Sequence, residues 1–174
     1  LTRLLCLISA LAWAGTAAAD LRLATWNVEL SRDGPGLLLQ DISSGKDAQV
    51  AAVEAVLEAT RPDIVLLTGV DLDPGGATLA ALVEALDAGG ATYPHALALP
   101  SNAGRPSGVD LDGDGRSGTA RDAQGYGRFR GDGAMALLSR YPLARDEARD
   151  FTGLLWRDLP AARFPERADG TPFP

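Results

Sequence analysis

Asn27 and Glu29 stand two residues apart in Thr25-Trp26-Asn27-Val28-Glu29. On a strand, side chains alternate between faces, so this spacing puts the amide and the carboxylate on one side. Together at a strand end they can hold a hard cation and orient a phosphate oxygen; they equally fit a strand end that simply meets solvent. A second group lies in Pro62-Asp63-Ile64-Val65-Leu66-Leu67-Thr68-Gly69-Val70-Asp71-Leu72-Asp73, a buried-strand pattern ending in carboxylates. Ligands bind beyond the carboxyl ends of such strands, although an ordinary acidic loop has the same look.

A third group is Asp110-Leu111-Asp112-Gly113-Asp114-Gly115-Arg116. Asp110, Asp112 and Asp114 followed by Gly115 copy the first half of a calcium loop, where alternate carboxylates converge and glycine permits the sharp turn. The position of the bidentate Glu holds Arg121 instead, with Asp122 beside it. No helical pattern flanks the loop, so this is not an EF-hand. Ca2+ is expected to order the segment; the alternative is a flexible acidic turn. Arg121, Arg128 and Arg130, interleaved with Tyr126 and Phe129, can line a phosphate-binding wall or form a solvated loop.

The elements that must carry these groups are readable from periodicity. Leu21 to Glu29 alternates as a strand. Leu37 to Ile42 suits a short helical turn. Asp47 caps a helix running to Thr60, with Val50, Val53, Val56 and Leu57 on one face, and Arg61-Pro62 ends it. After the strand at Asp63 to Thr68, a second helix presents Leu79, Leu82, Val83 and Leu86 and stops at Gly89-Gly90. His95 to Leu99 alternates weakly as a strand. Pro100 to Gly133 is long, polar and Gly-rich, a length that marks a functional or disordered segment. Ala134 to Ser139 is again a buried strand, and the tail from Phe151 is irregular. This order of strands and helices is α/β in character.

Composition narrows the classes further. Residues 1–19 have a basic start at Arg3, an apolar run from Leu4 to Ala14 and small residues at Ala17-Ala18-Ala19, the make-up of a cleavable secretory signal. The run is shorter than the roughly 20 residues needed to cross a bilayer, the competing assignment being an uncleaved anchor. A secreted or periplasmic location and no stable membrane association after cleavage are therefore expected. Cleavage removes Cys6, the only cysteine, which excludes disulfides, a cysteine nucleophile and a cysteine-based zinc site. Across 174 residues, 16 Lys+Arg face 23 Asp+Glu, a net charge of −7. An acidic surface repels phosphate backbones, so there is no strong nucleic-acid-binding signal. The Thr171-Pro172-Phe173-Pro174 ending is expected to mark a truncation, and Leu1 in place of a start Met fits either an unusual start codon or an incomplete sequence.

Thr25-Trp26-Asn27-Val28, the following helix, Pro62-Asp63-Ile64-Val65-Leu66-Leu67, and Gly131-Asp132-Gly133 leading through Ala134–Ser139 into Arg140-Tyr141-Pro142-Leu143 occur in this order. In that sequence of motifs the chain resembles the endonuclease/exonuclease/phosphatase superfamily. The resemblance implies a four-layer α/β sandwich, of which this chain would be the N-terminal part. It also implies phosphate-ester hydrolysis dependent on a divalent metal, Mg2+ or Mn2+, acting on a phosphate-ester substrate of unstated identity. Asn27 matches an active-site Asn of the family, Glu29 an acidic metal-site residue of some members, and Tyr126 lies near a family active-site Tyr. The family's Leu-Gln-Glu, whose Glu is the principal metal ligand, aligns with Leu67-Thr68-Gly69, leaving Gly69 at the ligand position and Asp71 as a replacement from the same strand face.

The family's Asp-x-Asn motif and late Asp-His are absent from this sequence, and His95, the single histidine, matches neither family histidine. Two functions are consistent with these features: an exported metal-dependent phosphoesterase, inactive as this fragment, or a non-catalytic, calcium-ordered binding domain that retains the fold.

Overall fold

A computed structural model describes residues 20–166 and Gly170; the segment assigned to export, residues 1–19, lies outside them. Four strands form one sheet: β1 (Leu23–Leu30), β2 (Ile64–Val70), β3 (His95–Leu97) and β4 (Ala134–Ser139). Their spatial order is β1-β2-β4-β3. β2 runs parallel to β1 and antiparallel to β4, and β3 joins β4 antiparallel. The sheet is thus mixed, a pairing the apolar run of β2 does not specify.

Three helices pack on one face: α1 (Leu37–Ser44), α2 (Ala48–Thr60) and α3 (Ala77–Ala88). Inward side chains of the strands (Val28, Leu30, Val65, Leu67, Val70 and Leu138) meet Leu38 and Ile42 of α1, Val50, Val53 and Leu57 of α2, and Leu82 and Leu86 of α3 in one buried cluster. Val56 is the exception to the sequence pattern. It is exposed, because at 100° per residue it falls well off the arc that Val50, Val53 and Leu57 share. The Asp47 carboxylate accepts the Val50 N–H at 2.8 Å, as a helix cap should. At the other end Arg61, in a left-handed conformation, donates its N–H to Leu57 O, and Pro62 follows.

The opposite face is open. Leu23 is 69% and Met135 57% exposed, with Ile64, Leu66 and Leu137 half-buried beside them. One sheet and one helical layer are present among the described residues, two of the four layers the family resemblance implies. No helix among them is long and apolar enough to cross a membrane.

The segment from Pro100 to Gly133 has no named helix or strand but is knit by its own backbone. Ala103 bridges Gly125 and Pro106 bridges Ala123. Gly131 donates to Ala103 O and accepts from Leu72 N–H, tying the loop to the end of β2. Gly104 permits the close approach this needs: a Cβ there would sit 1.8 Å from Phe129 O. Short 3-10 turns at Arg145–Glu147 and Trp156–Asp158 punctuate the tail.

Candidate active site and acidic loop

The register of β1 against β2 holds from Leu23↔Ile64 to Asn27↔Thr68, then shifts, resuming at Leu30↔Val70. Val28 and Glu29 therefore face the single residue Gly69, which is a β-bulge. Its backbone is unusual on both strands: Glu29 has φ 53° and Gly69 has φ 70°. For Gly69 this is freely available; for Glu29 it is a left-handed conformation that costs roughly 1–2 kcal/mol. Asn27 and Glu29 are both exposed, with Val28 and Leu30 buried. The Glu29 N–H donates to Asn27 Oδ1 at 3.3 Å.

Gly69 has no room for a side chain in this arrangement. A Cβ there would lie 2.3 Å from Asn27 Oδ1 and 3.3 Å from Glu29 N. The Asn27 amide fills that space.

Asp71 occupies a different environment from Asn27 and Glu29. It is buried, with Oδ2 accepting the Arg32 N–H at 2.6 Å and Oδ1 the Gly133 N–H at 2.9 Å. Burial raises its pKa, the two N–H donors pull it back, and neighbouring Asp132 raises it further. Asp132 moves the other way. Burial opposes its charge, but the backbone N–H and guanidinium of Arg128 outweigh this and hold its carboxyl below the usual range. Asp71 thus ties the β1–α1 connection to the lead-in of β4.

Arg32 gathers the other side of this junction. Its guanidinium reaches Asp41 at 2.6 Å, Asp47 at 3.2 Å and Gln49 Oε1 at 3.2 Å. Gln49 Nε2 in turn donates to Glu29 O at 2.9 Å and Val28 O at 3.3 Å. Neither Arg32 nor Gln49 was legible as a site residue. Each lies in a segment whose periodicity speaks only of a loop or a helix start.

The arginine wall is largely spoken for. Arg128 pairs with Asp33 and Asp132 and donates to Arg32 O; Arg121 lies 3.9 Å from Asp112. Arg130 has no ion pair among the described residues, and it borders a half-enclosed groove with Asp73, Leu79, Leu99 and Arg145. Tyr126 is 71% exposed. His95 sits on β3, level with Ser139, Ile64 and hence Leu23. That is the opposite end of the sheet from Asn27 and three strands away, about 14 Å across at ordinary strand spacing.

In the acidic loop, carboxylate oxygens of Asp110, Asp112 and Asp122 lie within 4.8 Å of one another. Asp114 is not in this group; its Oδ1 accepts the Arg116 N–H at 2.8 Å. Asp122, noted in the sequence only as a neighbour of Arg121, is the buried member. It accepts from Thr119 Oγ1 and from the N–H groups of Leu111 and Thr119, bonds that keep its carboxyl below the ordinary range. Calcium-loop spacing points one residue short of it, at Arg121, and the Leu111 N–H to Asp122 Oδ1 bond is what closes the loop.

Residues 24–174 match the Endonuclease/Exonuclease/phosphatase family, and the chain belongs to that family. Among solved structures it is similar to the crystal structure of an endonuclease/exonuclease/phosphatase from Beutenbergia cavernae DSM 12333. The two are 26% identical, over 70% of this chain and 26% of that chain, with a TM-score of 0.38. The chain therefore spans about a quarter of that protein's length. No curated protein matches it.

Proposed function

We propose that this chain is the N-terminal part of an exported, metal-dependent phosphoesterase that hydrolyses a phosphomono- or phosphodiester. Asn27 and Glu29 hold its Mg2+ or Mn2+ ion and a phosphate oxygen. The observation that supports this is the double left-handed bulge at Glu29 and Gly69 together with the exposure of both Asn27 and Glu29 at the end of β1. Oxygen donors of this kind suit Mg2+, which keeps several waters and takes one or two carboxylates besides substrate phosphate. Family membership supports the reaction class. The bound ion would stabilise charge on the phosphoryl oxygens and lower the pKa of a bound water.

The chain's own residues have separate tasks. Asn27 orients a phosphate oxygen through its amide, and Glu29 supplies the carboxylate that Gly69 cannot. Tyr126, exposed, offers a hydroxyl donor to the same phosphate. Asp71, with both oxygens already accepting N–H groups, braces the loops around them. Nucleophile activation is assigned to residues outside this sequence, since His95 is at the wrong end of the sheet. The acidic surface favours a small substrate over duplex DNA, and the pattern of residues 1–19 supports export without lasting membrane association.

Bis-p-nitrophenyl phosphate with Mg2+ or Mn2+ tests the proposal, assayed on the reading frame carried through to its stop codon. Metal-dependent turnover lost in Asn27→Ala is expected. No turnover in the unsubstituted protein would overturn the enzyme assignment and favour a binding domain.

A second proposal concerns Ca2+ at Asp110, Asp112 and Asp122, favoured by the convergence of their carboxylates. Calcium should raise the melting temperature of the unsubstituted chain and not that of Asp112→Ala; equal behaviour would remove this site.

A further inference from the structure

Glu29 is the one strained residue in the candidate site, and what restrains it is a side chain of α2. Its φ of 53° lies where a residue with a Cβ stays only if its surroundings hold it there. Three groups do so. The Asn27 Oδ1 accepts the Glu29 N–H, Gly69 on the facing strand clears the space, and Gln49 Nε2 bonds the carbonyls of both bulge residues, Val28 and Glu29. Without Gln49, those two carbonyls would lose the donor that turns them away from an extended path. The amide orientation of Gln49 is fixed by its partners. Oε1 faces the Arg32 guanidinium, a donor only, and Nε2 faces two carbonyls, acceptors only.

Resting on the functional proposal above, we propose that Gln49 is a positioning residue for Glu29: it locks the bulge and so aims the carboxylate at the metal beside Asn27. Arg32 acts behind it, anchored by Asp41 and Asp47, so that the start of α2 transmits its rigidity to the end of β1. This resembles the outer-shell partners of metal ligands, whose loss typically weakens metal binding about 10–100-fold.

Gln49→Glu separates positioning from mere stability. It keeps the size of the side chain and its partner Arg32 but has no N–H to give the two carbonyls. Three readouts on this chain, with Gln49→Ala alongside, decide the matter: the Glu29 Cα and Cβ chemical shifts, which report left-handed backbone; Mn2+ affinity by electron paramagnetic resonance; and the melting temperature. In Gln49→Glu the Glu29 shifts should leave the left-handed range and Mn2+ affinity should fall about tenfold or more, while the melting temperature holds. Unchanged Glu29 shifts in both variants would overturn the inference, as would left-handed shifts lost with no change in Mn2+ affinity. Failure of the unsubstituted chain to bind Mn2+ would instead sink the functional proposal; the Glu29 shifts would still decide whether Gln49 sets the bulge.

Discussion

Gly69 shows how a single residue reshapes a site. At position 69 this chain has a left-handed glycine, and the Asn27 amide fills the space a Cβ would take. Gly69→Ala is expected to cost about 1–3 kcal/mol through backbone strain and displacement of Asn27, seen as a lower urea midpoint with an unchanged slope. A midpoint equal to that of the unsubstituted chain would mean the bulge is not fixed. Asp73 gives a pH prediction at the same scale. Burial opposes its charge, but the N–H groups of Thr78 and Ala77 outweigh that and bring its pKa to about 2. Because the folded value lies below the unfolded one, the stability it lends is present above about pH 4 and fades as pH falls toward 2. Asp73→Ala should therefore destabilise by about 1 kcal/mol at pH 7 and by little at pH 2. A penalty independent of pH would contradict the charge-based account.

At the scale of elements, the strands and helices were largely legible because each has one buried face with a clear period. β4 agrees with its sequence limits, and α2 begins at the Asp47 cap. What the sequence hid were contacts between elements: the bulge, Arg32 with its two aspartates, and the return of Asp122 to Asp110. A bulge leaves the alternation of polar and apolar residues intact here, so Asn27 and Glu29 read as an ordinary strand end. The pairing of β2 with β4 was equally invisible, since an apolar run does not state the direction of its neighbours. The two faces of the sheet should respond unequally to truncation. Leu82→Ala, at a fully buried position on α3, should cost about 2–5 kcal/mol. Met135→Ala, on the open face, should stay within about 0.5 kcal/mol. Chemical denaturation of the two variants measures both, and equal losses would mean the outer face is covered.

Among the described residues the molecule is half-clad, with one sheet, helices on one side and an apolar strand surface on the other. Two oxygen-rich groups are proposed as sites, Asn27 with Glu29 at the end of β1 and Asp110, Asp112 and Asp122 in the long loop. The functional account requires a catalytic ion at the first. Mn2+ titration followed by paramagnetic broadening of amide resonances tests this most directly. At the lowest Mn2+ concentrations the amides of Asn27, Glu29 and Gly69 should broaden first, and Glu29→Gln should abolish that effect while leaving any broadening near Asp112 in place. Broadening confined to Asp110, Asp112 and Asp122, or none at Glu29, would contradict the account.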